Sequence, residues 1–505
     1  MTVKIETIRL SEYTAFRVLA SSPVWCAFIG SLLLSAIAIY GAEIPNRDGI
    51  LYIDTAAIFL EDGLAAARAN FDWVFLPACI AIVSKVTSLG LETAAYALNA
   101  LLMAGVCATL VRITQVQSPS AVWYACLVVL VLPKFNDQRD EIIREFGWWL
   151  FCLLSLLAAL RWQQRPGYGR GLLVQLLLAM ACLFRVEGAI FFAALALWQI
   201  RSPFPWKQRL WRMATLLCLP AAIALLLLGL LSVGQIDAGE RIAEYMSAAN
   251  PLASFAKFNA AASEFGSTIL NPYSTDDASR VLFFGLLSIV PYRFVMNYGI
   301  LLIPCAMFLW GKGLRHRFAE WRLPLYFFAV YALTLIAFVM WHFFTTNRYV
   351  IFLNLLLVPF IALGLQDIFE RYVRWKYVFL LIAVVAALAN VVSSSPRKTQ
   401  FREAGAWIAA HPELVGKIYI DSPRVRYCAG PVFRVRRNDP SQPKNAEEAV
   451  SDSRFGYIVF ELSKHNVLER QKITTSGFIE EKQFTSASGN AVTVLRRDAS
   501  AAIEP

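Results

Sequence analysis

The stretch "LPLYFFAVYALTLIAFVMW" (residues 323–341) decides the fold class, because its 19 consecutive residues include no charged side chain. A helix needs about 20 apolar residues to cross the hydrocarbon core of a bilayer. The stretches "MATLLCLPAAIALLLLGLLSVG" (213–234) and "YVIFLNLLLVPFIALGL" (349–365) have the same character. The chain of 505 residues is 58% hydrophobic and only 16% charged, whereas soluble domains are about 25% charged. The sequence therefore predicts an all-α polytopic membrane protein.

Basic residues predict which connections face the cytoplasm. Lys and Arg concentrate at the N-terminus and in four short connections, and the positive-inside rule places these on the cytoplasmic side. The same rule explains the net charge of +11 without a nucleic-acid partner. The basic connections are 161–170, 201–212, 311–322 and 371–376. The segments predicted outside mix acids, aromatic residues and single arginines, and they are 41–92, 134–146, 184–187, 234–296 and 342–348.

The two kinds of connection alternate only if "VFLPACIAIVSKVTSLG" (74–90) does not cross the membrane. We therefore interpret 41–92 as one outer loop with juxtamembrane or re-entrant helices. Residues 171–200 can also form one long helix, which would reverse the orientation of everything that follows. About eleven spans result, near 23–40, 93–112, 119–134, 147–162, 171–184, 188–200, 213–234, 293–310, 323–342, 349–367 and 376–392.

The composition changes after "SSSPRKTQ" (393–400), which divides the chain into a transmembrane part, 1–392, and a small soluble α/β domain, 393–505. Helical spacing predicts a helix over 401–411, and "SGN" (488–490) predicts a hairpin turn. An odd number of spans places this domain outside, on the same side as the loop 41–92. The predicted strands are 417–422, 457–462 and 491–497.

Ionisable residues gather near the span ends on the predicted outer side. Each costs roughly 2.5–3.5 kcal/mol at membrane depth, so such residues usually face a cavity or a partner. A carboxylate there can accept a proton from a hydroxyl nucleophile, and arginines can grip phosphate through forked hydrogen bonds. The sequence has no phosphate-binding glycine loop and no cytoplasmic segment long enough for a nucleotide-sugar domain. These features favour transfer chemistry on a lipid-linked phosphate.

The stretch "RDGILYIDTAAIFLEDG" (47–63), after the first span, resembles the D-E-x-x-Y-A-E-x-A-R-x-M region of GT-C glycosyltransferases. The similar members are the lipid A aminoarabinose transferases and the protein O-mannosyltransferases. "FDWVFLPACIAIVSK" (71–85), "LFRVEG" (183–188) and "NRYVIFLNLLLVPFIALGL" (347–365) resemble further family patterns. The resemblance implies a GT-C fold in the bacterial inner (cytoplasmic) membrane. It also implies transfer, with inversion, from a polyprenyl-phosphate-linked sugar to an envelope glycan, lipid or protein on the outer face.

The resemblance also implies roles for individual residues. Asp48 matches the catalytic aspartate and is the predicted general base, and Tyr52 matches the tyrosine four positions on. Gly49 stands where the family often has a second acid, which leaves the use of a divalent metal open. We expect Arg348 to bind the donor phosphate, with help from His342, Arg185 and Arg293. The acceptor-binding or auxiliary candidates are Tyr52, Asp54, Arg139, Asp140, Glu141, Arg144 and Glu187, of which Asp54 or the pair Asp140–Glu141 would replace the missing acid.

Simpler roles compete with these hypotheses. Asp48 could form an interfacial ion pair or begin a helix, and Arg348 could be a snorkelling anchor at a helix end. An O-antigen polymerase or ligase would also use outer-loop arginines, but it would not need Asp48. A lipid flippase would only pass a head group through the same polar cavity.

Overall fold

The computed structural model describes residues 22–232, 247, 250–310, 321–392, 398–436, 439, 441–443, 445–462, 477–487 and 489–498. The described chain divides into two compact units. The first unit draws its residues from 1–35, 100–139 and 144–391, and the second from 36–99, 140–143 and 392–505. The predicted boundary at residue 393 begins a segment, 393–397, that lies outside the described residues.

Most of the chain is helical. Among the described residues, six helices are long and apolar enough to cross a membrane. A seventh candidate is a pair of helices bent by 55°, Asn347–Leu356 and Val358–Arg371. The predicted polytopic helical membrane protein with a small C-terminal α/β part is therefore confirmed, while the number of eleven spans stays a prediction. The six are Pro23–Gly41, Leu91–Gln117, Glu145–Gln164, Trp206–Leu226, Pro272–Met296 and Arg322–His342.

The elements are labelled in chain order. The helices up to residue 200 are α1 Pro23–Gly41, α2 Arg47–Asn70, α3 Phe75–Thr87, α4 Leu91–Gln117, α5 Val122–Val131, α6 Pro133–Asn136, α7 Glu145–Gln164, α8 Tyr168–Phe184 and α9 Ile190–Ile200. Those that follow are α10 Trp206–Ser232, α11 Pro251–Thr268, α12 Ala278–Met296, α13 Leu302–Trp310, α14 Arg322–His342, α15 Asn347–Leu356, α16 Val358–Arg371 and α17 Lys376–Val391. The C-terminal elements are α18 Thr399–Ala409, β1 Ile418–Ile420, α19 Pro423–Ala429, α20 Ala446–Ser451, β2 Tyr457–Leu462, β3 Phe478–Thr485 and β4 Ala491–Arg497.

The core of the first unit is rich in aromatic rings. Trp148 on α7 packs on Phe352 of α15 with ring centroids 4.8 Å apart. Phe191 on α9 stacks on Phe327 of α14 at 4.6 Å. Helix α15 is buried from Val350 to Leu356, because other helices rather than lipid surround it. A helix apolar on every side is expected in such a position.

Residues 171–200 form two helices rather than one. α8 ends at Phe184, and Arg185 has an extended backbone with φ −151° and ψ 127°. The chain then turns tightly, since a Cβ placed on Gly188 would lie 3.1 Å from the Cβ of Ala181. The two-helix interpretation of this segment is therefore confirmed.

The segment 234–296, predicted as an outer loop, contains more helix than expected. α12 and the short turn before it form the span-length segment Pro272–Met296. Arg280, Pro291 and Arg293 interrupt its apolar sequence, and this hid the helix from the search for apolar runs. Residues 233–246, 248 and 249 lie outside the described residues.

The second unit contains α2, α3 and a four-stranded sheet with the order β1-β2-β4-β3. β1 pairs parallel to β2, whereas β2–β4 and β3–β4 are antiparallel. One face of the sheet packs Val459, Val492 and Val494 against α18. The predicted helix at 401–411 and the three predicted strands are confirmed. β3 and β4 pair as a hairpin, and Ser488 of the predicted turn lies outside the described residues. β3 escaped prediction because most of its side chains are exposed.

Candidate functional site

Asp48 lies in the first turn of α2, in the second unit. Asn46, just before this helix, forms hydrogen bonds to residue 142 through both the oxygen and the nitrogen of its side-chain amide. Its Oδ1 accepts from the Ile142 backbone N–H at 2.9 Å, and its Nδ2 donates to the Ile142 carbonyl at 3.4 Å. The structure therefore brings the turn that carries Asp48 next to the segment that carries Asp140 and Glu141. Both of these acids are half-buried.

The short distance between the start of α2 and Ile142 explains why residue 49 is a glycine. A Cβ at this position would lie 2.6 Å from Asn46 Oδ1 and 2.9 Å from Ile142 Cβ. Contacts under 3.0 Å require the neighbours to shift, so no side chain fits here without rearrangement. The acid that the family often has at this position is thus excluded by packing. We call residues 46–49 the Asp48 turn.

Tyr52 and Asp54 lie one and two helical turns further along α2. Tyr52 is 5% exposed and packs against Phe71, with ring centroids 5.6 Å apart. Asp54 Oδ1 lies 3.3 Å from Arg434 Nε in an ion pair. Burial nevertheless raises the pKa of Asp54, because the lost hydration outweighs the attraction of Arg434 and Arg426.

Two further ion pairs and a hydrogen bond in the second unit link residues 47–92 to the C-terminal residues. Arg47 binds Glu461 at 2.9 Å, and Tyr427 donates to Glu92 at 2.6 Å. Arg436 pairs with Asp62. Sequence reasoning missed these partners, because pairs more than 300 residues apart leave no local pattern.

In the first unit, the chain from Trp341 to Arg348 connects α14 to α15, and we call it the Thr345 turn. The Oγ1 atoms of Thr345 and Thr346 are buried and have no hydrogen-bond partner among the described residues. The indole Nε1 of Trp341 shares this property. Unpaired buried polar groups are rare, since each costs about 1–3 kcal/mol. Three of them lie in this turn, next to the start of α15, and the first backbone N–H groups of a helix can bind an anion.

Cations surround this turn. Arg348 is the second residue of α15 and is half-buried. Arg293 Nη1 donates to the Asn347 side chain at 2.8 Å, and Lys257 Nζ lies 4.2 Å from the centre of the Trp341 ring. The His342 ring packs 4.3 Å from the Phe338 ring. Three predicted donor-phosphate residues, Arg348, His342 and Arg293, are thus brought together.

The backbone of this turn is strained. Phe343, which ends α14, has a left-handed conformation with φ 61° and ψ 16°. A bulky residue rarely adopts this region, and such strain often marks functional sites. Sequence reasoning noted "HFFTTNRY" (342–349) for its charges but overlooked the two threonines. Adjacent hydroxyls before a helix start were the available signal.

Arg185, a predicted donor-phosphate residue, lies deep in the first unit. It is 8% exposed, and its guanidinium pairs with Glu145 at 2.5 Å and with Glu187 at 2.6 Å. The Tyr349 ring lies 4.7 Å from the guanidinium carbon. Two carboxylates and a ring therefore already bind this cation. Its contact with Tyr349, next to Arg348, suits a positioning role more directly than a phosphate contact.

Arg139 and Arg144 also belong to the first unit. Arg139 is 2% exposed, and its Nη1 donates to the Ser31 carbonyl at 2.7 Å and to the hydroxyls of Ser31 and Ser35 at 2.9 and 2.8 Å. It thus ties α1 to the segment after α6. Arg144 precedes α7 and attracts the Glu187 carboxylate electrostatically.

Among the described residues, no group of three or more His, Cys, Asp and Glu side chains is arranged to hold a metal ion.

The chain is similar in structure to the oligosaccharyltransferase of Archaeoglobus fulgidus. The complex of that protein with zinc and sulfate superposes with a TM-score of 0.47 at 13% identity, covering 84% of this chain and 58% of the archaeal chain. Its apo form has the same TM-score and identity, with 83% and 61% coverage. This chain thus spans about three fifths of the archaeal chain. No protein-family model and no curated protein matches the sequence.

Proposed function

We propose that this protein is a membrane glycosyltransferase of the GT-C kind. It would move a sugar from a polyprenyl-phosphate donor to a hydroxyl of an envelope acceptor. The observation that carries the proposal is the Thr345 turn, where unpaired buried hydroxyls, a helix start and Arg348 combine. Hydroxyls, backbone N–H groups and guanidinium groups are the donors that bind phosphate.

In the proposed reaction, Asp48 and Arg348 have the roles that the family resemblance implies. The Asp48 carboxylate takes the proton of the acceptor hydroxyl as the oxygen attacks the anomeric carbon. The bond from that carbon to the phosphate oxygen breaks, and the pair of electrons leaves with polyprenyl phosphate. Arg348 and the two threonine hydroxyls stabilise the charge that develops on the phosphate. A single displacement of this kind inverts the anomeric centre.

The Asp48 turn supports the choice of base. The two hydrogen bonds from Asn46 to Ile142 and the tight packing at Gly49 hold the start of α2 in one position. A base held in this way has its orientation set before the substrate arrives, which is the main condition for efficient proton transfer. Asp140 and Glu141, held nearby by the same clamp, are the proposed auxiliary acids.

The test uses a deletion strain that lacks the protein. This strain is complemented with the wild type, with Asp48→Asn or with Asp62→Asn. Mass spectra of the envelope glycans would show the loss of one sugar mass in the deletion strain. We expect the wild type and Asp62→Asn to restore that mass, because Asp62 lies on the same helix but pairs with Arg436 at the surface. Asp48→Asn should reach the membrane in equal amount without restoring the mass.

Restoration by Asp48→Asn would overturn the proposed mechanism. A polymerase or ligase that does not need this aspartate would give that result. A glycan mass spectrum unchanged by deletion would overturn the proposed transfer itself.

A further inference from the structure

The C-terminal part of the second unit contains a cavity of about 160 Å³. This is far more than the roughly 10–15 Å³ that one water needs, and less than the about 300 Å³ of pockets for drug-sized molecules. It suits a single sugar ring. Its mouth is open, since Val432 at the edge is 70% exposed.

Aromatic rings form part of the wall. Tyr419, Phe433 and Phe455 line the cavity, and the rings of Tyr419 and Phe455 meet edge to face at 6.0 Å. Flat apolar rings beside a few polar groups are the usual lining of a small-molecule site. The C–H face of a pyranose packs well on such rings.

Two arginines and an amide supply the polar groups. Arg426, Arg434 and Gln442 line the same cavity. Arg426 donates through Nη2 to the Ile420 carbonyl, and Arg434 makes its ion pair through Nε. Among the described residues, the remaining guanidinium N–H groups of both arginines have no hydrogen-bond partner. Arginine presents these groups as a fork that matches a carboxylate or a phosphate.

The groups around Arg426 compensate its charge only in part. Burial lowers the pKa of Arg426, because its acidic neighbours replace only part of the lost hydration. Those neighbours are the Tyr419 hydroxyl, Asp421, which is exposed, and Asp54, which pairs with Arg434. An anion bound in the cavity would add to the compensation of Arg426.

We infer that this cavity binds one monosaccharide unit that carries a carboxylate or a phosphate. The arginines would hold the anionic group, and the rings would hold the sugar face. This inference concerns binding alone, so it does not depend on the proposed transfer reaction.

The experiment uses the full-length protein in lipid nanodiscs and isothermal titration calorimetry. The probes are glucuronate, galacturonate and glucose 6-phosphate, with glucose as the neutral control. We expect saturable binding of at least one anionic sugar, and binding of glucose at least ten times weaker. Preference for a uronate or for the phosphate tells which anion the site takes. Equal binding of glucose, or no saturable binding of any anionic probe, would overturn the inference.

Substitutions test whether the ligand binds in this cavity. Arg426→Gln should weaken binding at least tenfold, whereas Arg496→Gln should not, because Arg496 pairs with Glu481 and is not a residue that lines the cavity. Val432→Trp would close the mouth and should abolish binding without unfolding the protein, since Val432 is largely exposed. Ile479→Trp, at an exposed site on β3, is its control. Binding that survives Val432→Trp would place the ligand elsewhere and overturn the inference.

Discussion

Asn46 forms hydrogen bonds to both backbone polar groups of Ile142. Its Oδ1 accepts from the Ile142 N–H at 2.9 Å, and its Nδ2 donates to the Ile142 carbonyl at 3.4 Å. One side chain thereby makes the two backbone hydrogen bonds that a neighbouring β-strand would otherwise make. These hydrogen bonds join the two segments that carry Asp48 and Asp140. It also brings Ile142 so close to α2 that only glycine fits at position 49.

Gly49→Ala should destabilise the protein by about 1–3 kcal/mol, the usual cost of overpacking a tight contact. The new methyl group would meet Ile142 Cβ at 2.9 Å. Thermal unfolding in detergent measures the effect. Gly90→Ala is the control, because nothing lies within 4 Å of a Cβ there. Equal melting temperatures for the two variants would contradict the packing explanation.

Arg185→Gln should be the most destabilising of these substitutions. It would leave the buried carboxylate of Glu145 without its cation, and breaking a buried pair costs about 3–5 kcal/mol. Membrane yield and melting temperature should both fall. Arg201→Gln, at an exposed turn, should leave both unchanged. A stable Arg185→Gln protein would mean that Glu145 and Glu187 find other partners.

Thr345→Val and Thr346→Val should separate ligand binding from folding. Neither hydroxyl has a partner among the described residues, so stability should hold or rise. Loss of one phosphate hydrogen bond should slow sugar transfer about tenfold, since about 1.4 kcal/mol corresponds to a factor of ten. Glycan mass spectra at low expression would show this loss. Thr334→Val, whose hydroxyl donates to the Val330 carbonyl at 2.9 Å, should keep normal transfer.

Asp54→Asn should change how stability depends on pH. Burial raises the folded-state pKa of Asp54 above 3.8, so the folded state holds this proton more tightly than the unfolded state. Ionisation of Asp54 therefore lowers stability as the pH rises from 3.8 through the raised pKa. The melting temperature of the wild type should fall relative to that of Asp54→Asn across this window. If the melting temperatures of the two proteins change in parallel with pH, Arg434 fully compensates the buried charge of Asp54.

Much of the architecture is local and therefore readable from the sequence. Apolar runs such as 323–341 must avoid water wherever they fold, and short runs of β-branched and aromatic residues such as 457–462 favour strands. The break at Arg185 was also readable, because a charged pair separated two apolar runs. By contrast, α12 was hidden by two arginines and a proline, and β3 by its exposed charges.

The candidate site, too, was predictable from the sequence only in part. The sequence alone determined that the chain is a helical membrane protein, that acids and arginines cluster near span ends, and which aspartate to examine first. Only the tertiary structure decided that Gly49 has no room for an acid and that Arg185 lies between two carboxylates. It also decided that two threonine hydroxyls near Arg348 have no hydrogen-bond partner within the described part of the chain. The reason is physical. Hydropathy is a property of each residue, whereas hydrogen-bond partners and contact distances depend on segments that the chain brings together from far apart.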